Sequence, residues 1–288
     1  MSTVMQPPVE AHYYRGQLFE TIMEELEKAG VDLKHVTRKD LAGFDEFHVR
    51  GKEVTIELAA TAGIQPGLRV LDVGCGIGGP CRMLADEYGC MVTGIDITQE
   101  YVKTAEKLSR LTGLSDSTKF VHGSALDLPF MDESFDIVWT QHVQMNIDNK
   151  ERFYSEIKRV LTNNGRFIYY DIFKRDDQPI YYPLPWAADA SISHLINISQ
   201  LRKLFTQTGF ELVDYKNQTK SAQQFLKSLL DGDNKPASSK PGISLLMGKE
   251  APQLLANVLQ NIADNKIELE SGICKKLENH EGFLRTHF

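Results

Sequence analysis

Arg69-Val70-Leu71-Asp72-Val73-Gly74-Cys75-Gly76-Ile77-Gly78-Gly79-Pro80 is the run from which the architecture of this chain is read. A short apolar strand ends in an acid, turns through glycines and starts a helix with Pro80 in its first turn. Glycine permits the sharp turn and lets a ligand lie against the backbone. The helix start adds unpaired N–H donors and partial positive charge. Gly74, Gly76 and Gly79 satisfy G-x-G-x-x-G, the spacing of dinucleotide sites. Asp72, just before the first glycine, shifts the reading. A carboxylate at the strand end suits a ligand with a cationic amino group and suits a pyrophosphate poorly.

Outward from this run the pattern repeats. Met91-Val92-Thr93-Gly94-Ile95-Asp96 reads as a second strand closed by an acid, 24 positions after Asp72. Such an acid can accept both hydroxyls of a ribose. It can also cap the helix starting at Thr98-Gln99-Glu100, although Thr98 can cap that helix itself. Gly123 to Phe130 reads as a loop and Ser134 to Gln141 as a fourth strand. Leu161 to Arg166 reads as a helix end and turn before a strand from Phe167 to Ile172. A helix through Leu201, Leu204, Phe205 and Thr208 closes at Gly209, and a strand follows from Phe210 to Lys216. Alternating strands and helices imply a parallel sheet with crossover helices.

The flanks are simpler. Residues 1–12 read as flexible, 14–29 as an amphipathic helix, 52–63 as a helix and 231–243 as a loop. Leu254-Leu255, Val258-Leu259 and Ile262 mark a helix, and Ile267 to Cys274 alternates as the last strand.

At 288 residues, one large domain with additions is expected. The net charge of −7 argues against a nucleic-acid substrate, which calls for a basic surface. The four cysteines form no C-x-x-C pair, and the spacing shows no zinc motif, so reduced thiols, a cytoplasmic location and no metal are expected. No apolar run is long enough to span a bilayer, and the N-terminus has no signal-peptide pattern.

Five motifs, in order across roughly residues 55–215, resemble those of the class I S-adenosylmethionine-dependent methyltransferases. Trp139-Thr140-Gln141-His142 and Tyr182-Pro183-Leu184-Pro185-Trp186-Ala187 resemble bacterial small-molecule methyltransferases related to sarcosine/dimethylglycine N-methyltransferases and ubiquinone/menaquinone C-methyltransferases. The resemblance implies an α/β, Rossmann-like, doubly wound and mostly parallel sheet with an antiparallel last strand. It implies an N-terminal helical extension or lid over residues 1–60 and a methyltransferase domain over 61–288, with 176–200 and 218–265 as lid or insert segments.

It also implies roles for single residues. Asp72, Gly74, Cys75, Gly76, Asp96, Ile97, Ser124, Ala125, Leu126 and Gln141 would hold S-adenosylmethionine and its product S-adenosylhomocysteine. Ser124 stands where many relatives carry an acid, which weakens the bond expected to the adenine amino group. His142, just past strand four, would act in catalysis, or else cap or brace the turn. Tyr14, His48 and Trp186 would contact the substrate, with Tyr13, Tyr169, Tyr170, Tyr181 and Tyr182 also near the pocket mouth. Tyr169 and Tyr170 have a core reading too, because strand neighbours face opposite ways. The function expected first is N-methylation of a small amine of sarcosine/dimethylglycine type. The alternative is C- or O-methylation of a quinone-, isoprenoid- or polyketide-like compound. More remote readings are an NAD-dependent oxidoreductase and a non-catalytic cofactor-binding protein.

Overall fold

The computed structural model describes residues 8–231, 242 and 244–277. Seven strands form one sheet: β1 Arg69–Val73, β2 Met91–Asp96, β3 Thr118–His122, β4 Phe135–Gln141, β5 Leu161–Lys174, β6 Phe210–Asn217 and β7 Ile267–Lys276. Their order is β3-β2-β1-β4-β5-β7-β6. β1 to β5 pair in parallel, and β7 runs antiparallel to both β5 and β6. The expected fold class is therefore the observed one.

Helices α1 Pro8–Tyr13, α2 Leu18–Lys28, α3 Arg38–Leu41 and α4 Lys52–Thr61 precede the sheet. α5 Gly79–Tyr88 and α6 Gln99–Leu111 follow β1 and β2. α7 Lys150–Val160 and α8 Ile198–Thr208 precede β5 and β6, and α9 Thr219–Asp231, α10 Ser244–Met247 and α11 Ala251–Ala263 lie between β6 and β7. Among the described residues no helix is long and apolar enough to cross a membrane.

The inner strands β1 and β4 are buried on both faces because helices cover both, whereas the edge strand β6 is largely exposed beyond Phe210. One face packs Leu71, Val73, Val138 and Phe167 against Phe153, Ile157 and Phe205 of α7 and α8. The other packs Val70, Ile137 and Ile168 against Leu58, Leu84, Leu226 and Val258 of α4, α5, α9 and α11. Tyr169 joins the first core and Tyr170 the second, as their adjacent strand positions require. Residues 218–265, expected as a lid or insert, thus supply α9 and α11 to the cover of one sheet face. The chain reverses its direction of winding between β1 and β4, and in open α/β sheets that switch point opens a crevice at the strand ends.

Three local expectations are corrected. Pro8–Tyr13 is helical, whereas residues 1–12 read as flexible. The helix expected over 14–29 begins only at Leu18, because Gly16 and Gln17 turn through φ 71° and 55°. The Glu100 carboxylate accepts the N–H groups of Arg15 (2.7 Å), Gly16 (3.1 Å) and Leu18 (3.0 Å), holding that break. The turn expected at 161–166 lies inside β5: Leu161 pairs with Phe135 and Arg166 with Ile137, so the residues between bulge out of the ladder. β7 pairs with β5 from Arg166 to Lys174 and extends the strand past its local turn residues. The loop expected at 231–243 lies, apart from Asp231 and Gly242, outside the described residues.

Candidate active site

The glycine run becomes a loop over the ends of β1 and β2. Gly74, Gly76 and Gly78 take φ of 74°, 54° and 82°, a region that favours glycine. The N–H groups of Gly74 and Cys75 donate to Ile95 O at 2.8 and 3.1 Å. Of the readings expected for Asp96, the helix-start one is observed: Oδ1 accepts Thr98 N at 2.8 Å where α6 begins, while Oδ2 accepts Gly76 N of the glycine loop at 2.9 Å. Burial still raises the Asp96 carboxyl above the usual carboxylate range, against those two bonds. A Cβ on Gly76 would meet nothing within 4 Å, so the loop leaves open space where it faces the cavity.

Asp72 is buried, and Cys81 Sγ donates to its Oδ2 at 3.2 Å. Burial pushes the Asp72 carboxyl up to about 7, and the thiol bond opposes that only in part. Below the loop, Arg82 is fully buried and paired with Asp45, and it donates to Ile77 O at 2.8 Å. This pair was not foreseen. The signal was Arg82 itself, a lone charge in the otherwise apolar run Pro80 to Ala85. It fixes residues 45–48 against the glycine loop.

A cavity of about 460 Å³ opens at these strand ends. Asp72, Gly74, Cys75, Gly76, Asp96, Ile97, Ser124, Ala125, Leu126, Gln141, His142 and His48 all line it, so twelve of the residues expected from the sequence meet in one place. Ser124 Oγ accepts Leu126 N at 3.1 Å and shapes the loop after β3. Gln141 spends its amide inside the protein: Nε2 donates to Thr55 Oγ1 at 3.1 Å, and Oε1 accepts Trp139 Nε1 at 2.9 Å.

His142 sits at φ 53°, with its N–H donating to Tyr170 O at 2.8 Å. Its Nε2 is buried and has no hydrogen-bond partner among the described residues. Burial, and then proximity to the His48 ring, hold this imidazole well below the usual histidine range, so it is neutral. The rings of His48 and His142 lie 6.0 Å apart, and Tyr170 lies 4.9 Å from His142.

Two expected contacts are not brought to this cavity. Tyr14 is 51% exposed and lies in a separate surface groove with Phe19 and Lys107. Trp186 is buried in the core, with Nε1 donating to Ser193 Oγ at 3.1 Å. Of the seven aromatics expected near the mouth, only Tyr13 lines the cavity, and its hydroxyl donates to Asn146 Oδ1 at 2.9 Å. Phe47, Tyr101, Asn146, Ile192 and His194 line it unforeseen. The wall after β4 is held by Asp171, which accepts Val143 N and Gln144 N at 3.1 and 3.0 Å. Lys150 Nζ clasps the carbonyls of Gln144, Ile147 and His194, tying that wall to the 176–200 segment. Among the described residues no three His, Cys, Asp or Glu side chains group as a metal site.

Residues 71–169 match the family described as a methyltransferase domain. Within curated proteins, the chain is 37% identical over 166 residues to a sterol 24-C-methyltransferase of Gibberella zeae, covering 56% of this chain and 44% of that one. It is 41% identical over 117 residues to the 2-methyl-6-phytyl-1,4-hydroquinone methyltransferase of Synechocystis, covering 41% of this chain and 36% of that one. The match spans less than half the length of either relative. In fold, the chain resembles the crystal structure of a putative sarcosine dimethylglycine methyltransferase from Galdieria sulphuraria, with a TM-score of 0.64 and 21% identity over 78% of this chain and 84% of that one.

Proposed function

We propose that this protein is an S-adenosylmethionine-dependent methyltransferase acting on a small acceptor without a carboxylate, at oxygen or carbon. One observation carries this reading. A single cavity joins a glycine loop and two strand-end acids to a surface made by Phe47, His48, His142, Ile147, Ile192 and His194. S-adenosylmethionine, when bound, supplies a reactive sulfonium methyl. Asp96 would take the ribose hydroxyls, Asp72 the amino group, and Gly74 and Gly76 the methionine chain. Ile97 and Ser124 to Leu126 would border the adenine. The residues fit that group: the free space at Gly76 is where a chain would pass, and Asp96 keeps one lone pair on each oxygen beyond its two backbone bonds.

The acceptor side favours the alternative over the amine expected first. Sarcosine and dimethylglycine carry a carboxylate, and burying one unpaired is costly. None of the described lining residues is lysine or arginine. An uncharged acceptor meets no such penalty. Alignment of the two reactants in a closed site can remove roughly 7–11 kcal/mol of barrier in favourable cases. α1, which brings Val9 and Tyr13 to the cavity, and the segment with Ser191, Ile192 and His194 are placed to exclude water.

Calorimetric titration with S-adenosylhomocysteine, followed by mass-spectrometric screening for one added methyl across phenols, hydroquinones, alkenes and amines, tests the reading. Binding with methylated phenol, hydroquinone or alkene supports it. Products only from amino acids would return the amine to first place, and absence of binding would refute the assignment of the cavity.

Affinity for S-adenosylhomocysteine is expected to rise between pH 6 and 8. Asp72 is protonated below about 7 in the free protein, and a cationic amino group binds the ionised form better. The sign for stability is the reverse. From the ordinary carboxyl value up to about 7, the unfolded chain is ionised while folded Asp72 keeps its proton, so this group's contribution to stability is lost as pH rises through that window. Asp72→Asn should flatten both profiles. A pH-independent affinity in the wild type would place the amino group elsewhere.

A further inference from the structure

We propose that Glu46 and His48 form the proton-accepting pair of this site, Glu46 orienting His48 as the base that receives the acceptor's proton. This rests on the methyl-transfer reading above, and it moves the base from His142 to His48.

The argument follows the direction of the hydrogen bonds. Glu46 and His48 are both buried, and His48 lines the cavity. Trp139 Nε1 donates to Gln141 Oε1, Gln141 Nε2 donates to Thr55 Oγ1, and the Thr55 hydroxyl donates to Glu46 Oε2. Trp139 and the Gln141 amide nitrogen can only donate. Thr55 Oγ1 also lies 3.3 Å from both Gln141 Oε1 and His48 Nε2, but its contact with Glu46 Oε2 is far shorter at 2.5 Å, so the Thr55 proton is assigned to the carboxylate and the chain runs toward it. Glu46 Oε2 also lies 3.1 Å from His48 Nε2. An ionised carboxylate can only accept, so Nε2 carries the imidazole proton. The lone pair then sits on Nδ1. Its one contact among the described residues is Val49 O at 3.5 Å, an acceptor at the outer limit of hydrogen bonding that cannot donate to it. His48 thus offers an unspent basic nitrogen on a ring that lines the cavity, with a carboxylate behind it.

His142 is the complement. Its Nε2 is equally unspent, but no carboxylate backs it, and the nearest rings are His48 and Tyr170. A proton on His142 would sit unpaired in a buried place, whereas a proton on His48 Nδ1 gives an imidazolium paired with Glu46. In the balanced step, the acceptor's X–H bond breaks and its electron pair forms the new bond to the methyl carbon. The carbon–sulfur bond of the sulfonium breaks with its pair staying on sulfur, and the proton goes to His48 Nδ1. His142, neutral, can hydrogen-bond the acceptor without competing for that proton. A carboxylate that fixes tautomer and orientation while stabilising the imidazolium is a recurring arrangement.

The test reads the tautomer in the full-length protein labelled with ¹⁵N-histidine, by two-bond ¹H–¹⁵N spectra at pH 8 with and without S-adenosylhomocysteine. The His48 signals are assigned by their loss in His48→Gln. The expected pattern is protonated Nε2 and unprotonated Nδ1 in the wild type, with loss of that preference in Glu46→Gln. Protonated Nδ1 in the wild type, or an unchanged pattern in Glu46→Gln, overturns the proposal. With methylhydroquinone as probe acceptor at saturating S-adenosylmethionine, Glu46→Gln is expected to lower kcat on the order of 10²-fold while KM stays within about twofold, since positioned bases typically contribute 10²–10⁴-fold. Wild-type kcat in both Glu46→Gln and His48→Gln overturns the base role. If the wild type binds no S-adenosylhomocysteine, the methyl-transfer reading falls and the base role with it, and the wild-type tautomer still decides whether Glu46 orients His48.

Discussion

Gly79→Ala is expected to destabilise the protein by about 3–5 kcal/mol, the largest stability effect of any single methyl added to the glycine loop. A Cβ at this position would overlap the backbone carbonyl of Asp45. Overpacking ordinarily costs about 1–3 kcal/mol because a neighbouring side chain can turn aside. Here the obstacle is main chain, and it is pinned. The Asp45 carboxylate pairs with Arg82, whose guanidinium is fully buried and also donates to Ile77 O and Ala105 O at 2.8 and 3.3 Å. Moving Asp45 away from a new methyl pulls it from that charge, and breaking a buried pair costs about 3–5 kcal/mol. Gly76→Ala is the control. Its Cβ meets open space, and only the strain of φ 54° remains, roughly 1–2 kcal/mol. Urea unfolding of both variants separates the cases. A Gly79→Ala protein within 1 kcal/mol of wild type would mean that the 45–48 segment yields easily, and S-adenosylhomocysteine binding should then survive as well.

The same contact explains what could be read in advance and what could not. Asp72, the glycine loop and Asp96 were legible because each role is local: a strand end, a turn and a helix start follow one another within a few residues, and the turn chemistry is written in glycine. Ser124 to Leu126 and His142 follow the same rule, each lying just past a strand. Tyr14 was misplaced because residues next to each other at a helix end point in different directions, and here the chain turns sharply at Gly16 and Gln17. Tyr13 reaches Asn146 in the cavity while Tyr14 stays at the surface. Trp186 sits in a segment that closes on itself, with Leu184 N to Ala187 O at 2.8 Å and the return bond at 3.1 Å, and the ring is carried inward to the core. The pairings of Asp45 and Glu46 were not legible in the sequence because their partners are distant along the chain or met only by packing: Arg82 on α5, Thr55 on α4. The alternation of Ile267 to Cys274 identified a strand, but its place between β5 and β6 is a property of the sheet, and the antiparallel direction came from resemblance rather than pattern.

Asp96→Ala should lower affinity for S-adenosylhomocysteine on the order of 10³-fold while changing stability by about 1 kcal/mol or less. The two effects separate because the carboxylate is a poor contributor to the fold and a strong one to the ligand. In the free protein, burial raises the Asp96 carboxyl, so the bonds from Thr98 N and Gly76 N do not fully offset its desolvation. Replacing it loses a helix cap, typically about 1 kcal/mol, and removes that desolvation in return. The ligand has no such compensation. Ribose hydroxyls bonded to a charged oxygen contribute about 1.5–3 kcal/mol each, and the variant also frees Gly76 N, so the loop loses its tether beside the open space the ligand would fill. Two such bonds amount to roughly 3–6 kcal/mol, of which some 4 kcal/mol corresponds to a thousandfold change in Kd. Asp96→Asn, which keeps one oxygen acceptor, is expected to fall between. Calorimetry with S-adenosylhomocysteine and thermal unfolding of the same samples measure both quantities. Equal affinity in wild type and Asp96→Ala would remove the ribose from β2, and a collapse of stability with unchanged affinity would make Asp96 a helix cap alone.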